Sequence, residues 1–296
     1  MTTAVRTKGP LVWDDMDQLA LDDAYDQSKW ASNQKIITGR RAGFSAETLK
    51  HIAPPERFAY GPTEVEQVDV YKCKVPNAPV AVYVHGGAWR AGRSREYAFQ
   101  AETFLNAGAH YVALDFANID ELDGDLMAMA EQVRRAVAWT WKNAARFGGD
   151  QNNFYLIGHS SGAHLGGCVV TADLTRYGVP QSMIKGCLLG SGMYDLAPVR
   201  LSKRSEYVAF TDQIENELSA MRHIDRLACP LVLIVGTNES PEFIRQTHAF
   251  ADALKAAGKK AELIVANNYN HFEIGETLAN PYGVMGRAAL RMMGLA

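Results

Sequence analysis

Short apolar runs alternate along this chain with longer segments whose apolar residues recur every three or four positions. The runs are Val65–Cys73, Pro79–Val84, His110–Phe116, Asn153–Gly158, Ile184–Gly190, Pro230–Gly236 and Ala261–Ala266. Apolar runs this short, bounded by turn residues, predict strands buried on both faces. The strongest helical pattern is Asp125–Phe147, with Leu126, Met129, Ala130, Val133, Val137, Trp141 and Ala144 on one side. Glu131 and Arg135 add a supporting pair four residues apart. A second helix opens at Ser240-Pro241, with Ser240 as N-cap and Pro241 as first helical residue, and stops at Gly258. Strands alternating with helices predict an α/β class: a mostly parallel sheet with helices on both faces. Functional side chains then belong at the carboxyl ends of the strands.

Two segments break the alternation. Residues 1–60 are polar and aromatic, with Trp13, Tyr25, Trp30, Phe44, Phe58 and Tyr60, and are expected to fold over the sheet's carboxyl edge. Residues 196–225 mix charges with aromatics and carry no strand signal, which predicts a short cap insertion. With no linker, repeat or low-complexity stretch, residues 1–296 are read as one domain.

Candidate chemistry sits at two strand ends. Gly158-His159-Ser160-Ser161-Gly162 reads G-x-S-x-G and lies between the strand Asn153–Gly158 and a helical run from Ala163. A serine on such a turn is held in a strained conformation with its hydroxyl above the sheet. The free N–H groups of the following helix favour negative charge there. His85-Gly86-Gly87-Ala88-Trp89 follows the run Pro79–Val84 and delivers bare backbone N–H groups to the same edge. Gly86, Gly87 and Ser161 are therefore the candidate oxyanion donors.

A serine needs a base to act as a nucleophile. In this order of motifs the acid and then the base follow the serine, each beyond a later strand. His271 fits the base position, after the strand Ala261–Ala266 and the polar loop Asn267–Asn270. Glu239 is the best-placed acid, after the strand Pro230–Gly236; Glu242 and Asp195 are the other carboxylates in range. His159 is expected to pack beside the serine turn, His85 to bond within its own loop, and His164 to be a satisfied buried histidine.

Composition narrows the function classes. The chain has 296 residues, 47% of them hydrophobic, and a net charge of −3. That balance argues against a nucleic-acid partner, which needs a basic excess. No apolar stretch is long enough to span a bilayer, and Met1–Lys8 lacks the apolar core of a signal peptide. Cys73, Cys168, Cys187 and Cys229 are widely spaced and read as thiols of a reducing cytosol, not as disulfides or zinc ligands. No His/acid cluster at metal-ligand spacing appears, so neither a metal nor an organic cofactor is expected.

His85–Trp89 together with Gly158–Leu165 resembles the α/β-hydrolase-type kynurenine formamidases (arylformamidases), within the hormone-sensitive-lipase-like esterase group. Leu21–Tyr25, Ser191–Leu196, Ser240–Phe243 with Arg245-Gln246, and Asn270–Ile274 extend the likeness to most of the chain. The resemblance implies an α/β-hydrolase fold, Ser160 as nucleophile and His271 as base. The family's acid, usually an aspartate, falls on Glu239. It also implies hydrolysis of N-formylkynurenine to kynurenine and formate in the cytoplasm, and weakly a homodimer. A planar aryl formamide would suit stacking on Trp89, Tyr25 or Trp30. Two alternatives use the same residues: a carboxylesterase for short acyl esters, and a non-catalytic binding protein of the same fold.

Overall fold

The structure is a computed structural model that describes residues 9–296; the expectation about Met1–Lys8 lies outside the described residues. The main sheet has eight strands: β1 (Glu56–Ala59), β2 (Gln67–Tyr71), β3 (Ala78–Val84), β4 (His110–Leu114), β5 (Gly149–His159), β6 (Gly186–Gly190), β7 (Leu231–Gly236) and β8 (Ala261–Ala266). Their spatial order is β1-β2-β4-β3-β5-β6-β7-β8. From β4 to β8 every neighbouring pair is parallel, whereas β2 runs antiparallel to both β1 and β4. All seven apolar runs form strands, with ends shifted by a few residues.

The helices are α1 (Gln18–Ala24), α2 (Gln34–Thr48), α3 (Ala101–Asn106), α4 (Leu126–Lys142), α5 (Ser161–Val170), α6 (Ala197–Leu201), α7 (Asp212–Glu217), α8 (Pro241–Ala256), α9 (His271–Glu276) and α10 (Val284–Met292). The α4 helix begins where its pattern says, because the Asp125 side chain accepts from the Ala128 N–H. Such a cap contributes about 1 kcal/mol. The helix ends at Lys142, and a 3-10 turn takes up Ala144–Phe147.

The period-2 pleat divides the apolar side chains between the two faces of the sheet. On β3, Val80, Val82 and Val84 join one core, and Ala81 and Tyr83 the other. The first core continues through Met129 and Val133 of α4, Leu165 of α5 and Phe250 of α8. The second continues through Phe104 of α3, Ile274 of α9 and Met285 of α10.

The strand order reverses at β3, which lies between β4 and β5. The loops leaving β3 and β5 therefore open side by side, with Val84 level with Gly158. In an open α/β sheet this is where a binding crevice forms. Within residues 9–60, Glu56–Ala59 joins the sheet as its edge strand, antiparallel to β2. The 196–225 segment carries α6, α7 and 3-10 turns and no strand.

Candidate active site

The chain leaves β5 at His159 and turns into α5 through Ser160, whose φ of 58° and ψ of −129° lie outside the regions open to ordinary residues. Holding a serine this way costs on the order of 1–3 kcal/mol and persists only where its surroundings enforce it. Here they do: the Ser160 N–H donates to the Gly190 carbonyl at 2.8 Å. Gly162 packs so tightly that any Cβ would run into the carbonyl oxygens of Val84 and His85. Only glycine lets the turn sit this low against β3.

His271 is the first residue of α9. Asn270 caps that helix by accepting from the Phe272 and Glu273 N–H groups, while Glu273 accepts from the Asn270 N–H. This reciprocal box fixes the histidine's backbone. Its ring lies 5.0 Å from Phe243 and 5.3 Å from Phe272, edge-on to each. His271 Nε2 is 2.7 Å from Ser160 Oγ, and Nδ1 is 2.7 Å from Glu239 Oε2. The other Glu239 oxygen accepts from the Gly236 N–H at 2.7 Å and the Ser191 hydroxyl at 2.6 Å. All three side chains are buried.

The other two carboxylates are engaged elsewhere. Asp195 faces Arg222 at 3.4 Å and the Ala197 N–H. Glu242 binds Arg245 and accepts from the Tyr25 hydroxyl at 2.7 Å. Burial, reinforced by the Glu242 charge, raises the Tyr25 phenol well above its usual range, so it remains a donor.

His159, His85 and His164 are neutral scaffolding. His159 Nε2 meets the His271 carbonyl at 2.9 Å, and burial, with the nearby His271, holds its pKa well below normal. Nδ1 of His85 lies 2.9 Å from the Gly86 carbonyl, and its ring stacks on Phe116 at 4.3 Å. Nε2 of His164 lies 3.0 Å from the Leu218 carbonyl. Burial pulls both His85 and His164 down to about 4.

The loop after β3 carries its own strain, with Ala88 and Trp89 both at positive φ. The Trp89 N–H is anchored on Ser161 Oγ at 3.2 Å. The N–H groups of Gly86, Gly87 and Ser161 have no hydrogen-bond partner among the described residues. Gly86 lies hard against the serine turn, where a Cβ would be 2.8 Å from the His159 carbonyl and 2.9 Å from Ser160 Cβ. Free donors beside a bonded Ser-His-carboxylate set can hold the oxyanion of an acyl-transfer step.

Ser160 and His271 line a cavity of about 590 Å³. Its walls come from Gly86 and Gly87, from α2, and from Lys203, Arg204 and Tyr207 of the 196–225 segment. Clefts of about 660 and 680 Å³ elsewhere contain none of the three bonded residues, so volume alone does not mark the site. Among the described residues no group of three His, Cys, Asp or Glu side chains gathers to hold a metal.

The aromatic expectations need correction. Trp89 lies beneath the cavity, edge-on to His164 at 5.1 Å and covered by the Arg204 guanidinium at 5.2 Å. Trp30 closes a 3-10 turn outside the cavity, with its indole N–H on the Asp23 carbonyl. Tyr25 alone of the three lines the cavity, joined by Tyr97, Tyr207 and Phe272. Sequence reasoning gave Ser191 no role of its own, although it opens the Ser191–Leu196 segment after β6; its hydroxyl holds Glu239.

These features define a serine-type hydrolase of the α/β-hydrolase fold. The prolyl oligopeptidase family model matches residues 129–282, more than half the chain, and the BD-FAE model matches residues 68–177. A kynurenine formamidase of Danio rerio is 31% identical over 95% of this chain and 98% of its own length. The kynurenine formamidase of Salmo salar is 30% identical at the same coverage. Among solved structures, a thioesterase-titled protein of a Silicibacter species superposes with TM-score 0.77 at 21% identity, covering 90% of this chain and 97% of that one. The chain belongs to the prolyl oligopeptidase family by its family-model match and to the kynurenine formamidase family by its near full-length relatives, an α/β-hydrolase of hormone-sensitive-lipase-like type. Among the described residues no helix is long and apolar enough to cross a membrane.

Proposed function

We propose that this enzyme hydrolyses an aryl formamide of the N-formylkynurenine type through a formyl-enzyme on Ser160. The observation that carries the chemistry is the unbroken relay Ser160 Oγ, His271 Nε2, His271 Nδ1, Glu239 Oε2, with both links at 2.7 Å. Support for the substrate comes from relatives named kynurenine formamidase that match nearly end to end.

In this reading His271 Nε2 takes the Ser160 proton as Oγ attacks the formyl carbon. The carbonyl oxygen becomes an oxyanion held by the N–H groups of Gly86, Gly87 and Ser161. The C–N bond breaks, and His271 returns its proton to the leaving aryl amine. Water then adds to the formyl ester with His271 again as base, releasing formate and restoring Ser160. Glu239 holds Nδ1 as the donor and stabilises the imidazolium. The segments 9–60 and 196–225 supply cavity walls around the reacting groups, from Tyr25 to Arg41 and from Lys203 to Tyr207.

The second reading, a short-acyl carboxylesterase, draws on an Arabidopsis thaliana isoprenylcysteine methylesterase that is 25% identical over 73% of this chain and 56% of its own length. Measurement of kcat/KM side by side on N-formylkynurenine and a panel of short aryl esters separates the two. A clear preference for the formamide is expected; a strong preference for esters overturns the substrate assignment.

A further inference from the structure

The α2 helix presents Gln34, Thr38 and Arg41 to the cavity from a single face, at the i, i+4, i+7 spacing that aligns side chains. Charges on the cavity wall are mostly neutralised locally. Lys203 is bound to Asp26 at 2.6 Å, and Arg90 to Asp120 at 3.1 Å. Arg204 also has no carboxylate partner and no acceptor for Nε, but its two terminal nitrogens are fixed by the Tyr25 carbonyl and the Tyr207 hydroxyl and it braces the wall over Trp89.

Arg41 and Glu96 differ. Both line the cavity and both act electrostatically on Tyr97, yet neither has an ion-pair partner among the described residues. The Arg41 guanidinium rests over the Tyr97 ring at 5.8 Å, and its Nε is buried with no hydrogen-bond acceptor. A partly buried guanidinium without a carboxylate is costly unless a ligand supplies one. Glu96 on the same wall gives the pocket a separated plus and minus, neither neutralised by an ion pair among the described residues, although Arg41 also rests on Tyr97.

We propose that Arg41 and Glu96 form a subsite for a zwitterionic α-amino-acid head, Arg41 taking its carboxylate and Glu96 its ammonium. This rests on the aryl-formamide reading and deepens it. The formyl end lies at Ser160, the aryl ring crosses the cavity, and the amino-acid head ends beside Tyr97. The subsite selects the substrate, and the chemistry stays with Ser160, Glu239 and His271. A charge-assisted bond to the carboxylate gives discrimination of roughly tenfold or more.

The test compares kcat/KM on N-formylkynurenine with that on 2-formamidoacetophenone, which keeps the aryl formamide and lacks the charged head. The ratio of the two is measured for the wild type, Arg41→Met, Arg41→Lys and Glu96→Gln. Wild type is expected to favour the zwitterion. Arg41→Met should lower the ratio about tenfold or more, mainly through KM, and Glu96→Gln should lower it by a smaller factor. Arg41→Lys keeps the charge and should recover much of the ratio, which a merely structural role of Arg41 would not predict. A ratio unchanged in both Arg41→Met and Glu96→Gln overturns the subsite and leaves the formamidase reading standing. A wild type that cleaves neither formamide but cleaves aryl esters overturns both.

Discussion

Replacing Glu239 with glutamine should almost silence the enzyme without unfolding it. One carboxylate serves three donors: His271 Nδ1 at 2.7 Å on one oxygen, and the Gly236 N–H at 2.7 Å with the Ser191 hydroxyl at 2.6 Å on the other. A glutamine has one oxygen and one NH2 group for the same positions. Two donors converge on the Oε1 position, and leaving the buried Gly236 N–H without an acceptor costs about 1–3 kcal/mol. The amide oxygen therefore stays there, and the NH2 group faces His271 Nδ1. Nδ1 must then be the acceptor, which places the ring proton on Nε2, against Ser160. That tautomer cannot receive the serine proton, and the imidazolium also loses its counter-charge. The expected loss in kcat is about 10⁴-fold, or roughly 5 kcal/mol of transition-state stabilisation. Steady-state kcat, with a thermal melt to verify folding, is the assay. Glu239→Asp, which withdraws the carboxylate by one methylene, should lose about 10- to 100-fold. A glutamine variant within tenfold of wild type, correctly folded, would refute the relay.

Gly86→Ala should lower kcat by about 10²–10³-fold, because its Cβ meets the His159 carbonyl and Ser160 Cβ and displaces the free N–H groups; undiminished turnover would show that this loop does not hold the oxyanion. Trp30→Ala should change kcat/KM on N-formylkynurenine by less than about twofold, since the indole lies outside the cavity; a large rise in KM would put it back in the binding site. Burial holds His85 and His164 at about 4, and His159 well below normal, so the folded chain refuses protons that the unfolded chain accepts. Their contribution to stability is thus complete above about pH 6.5 and is lost as pH falls from there towards 4. Urea unfolding between pH 7 and 5 should show a falling midpoint, and a flat profile would contradict the neutral burial of these rings.

Seven strands were legible because β2 to β8 carry apolar runs; β2 to β7 are buried through their apolar parts, whereas β8, at the other edge of the sheet, is exposed or half-buried up to Ala266 and only its run marks it. The sheet's first strand, Glu56–Ala59, was not: Glu-Arg-Phe-Ala at an edge exposes most of its side chains and carries no run. Ser160, Glu239 and His271 were legible because each follows a strand at a fixed place in the topology. The place of Glu239 just after the strand favours it over Asp195 and Glu242; the loop geometry adds that the other two carboxylates are engaged elsewhere while Glu239 faces the histidine. The cavity wall was the least legible part. It depends on α1 and α2 docking onto residues far along the chain, as when the Tyr25 hydroxyl meets Glu242, 217 positions away. Local pattern carries no information about such a contact, so Trp89 and Trp30 looked as suitable for stacking as Tyr25.

The most direct measurement is formate release from N-formylkynurenine by the wild type and by Ser160→Ala under identical conditions. The wild type should release formate catalytically, and the variant should be slower by about 10³-fold or more. Equal release by the two proteins would contradict nucleophilic catalysis by Ser160, and no release by the wild type would contradict the formamide as substrate.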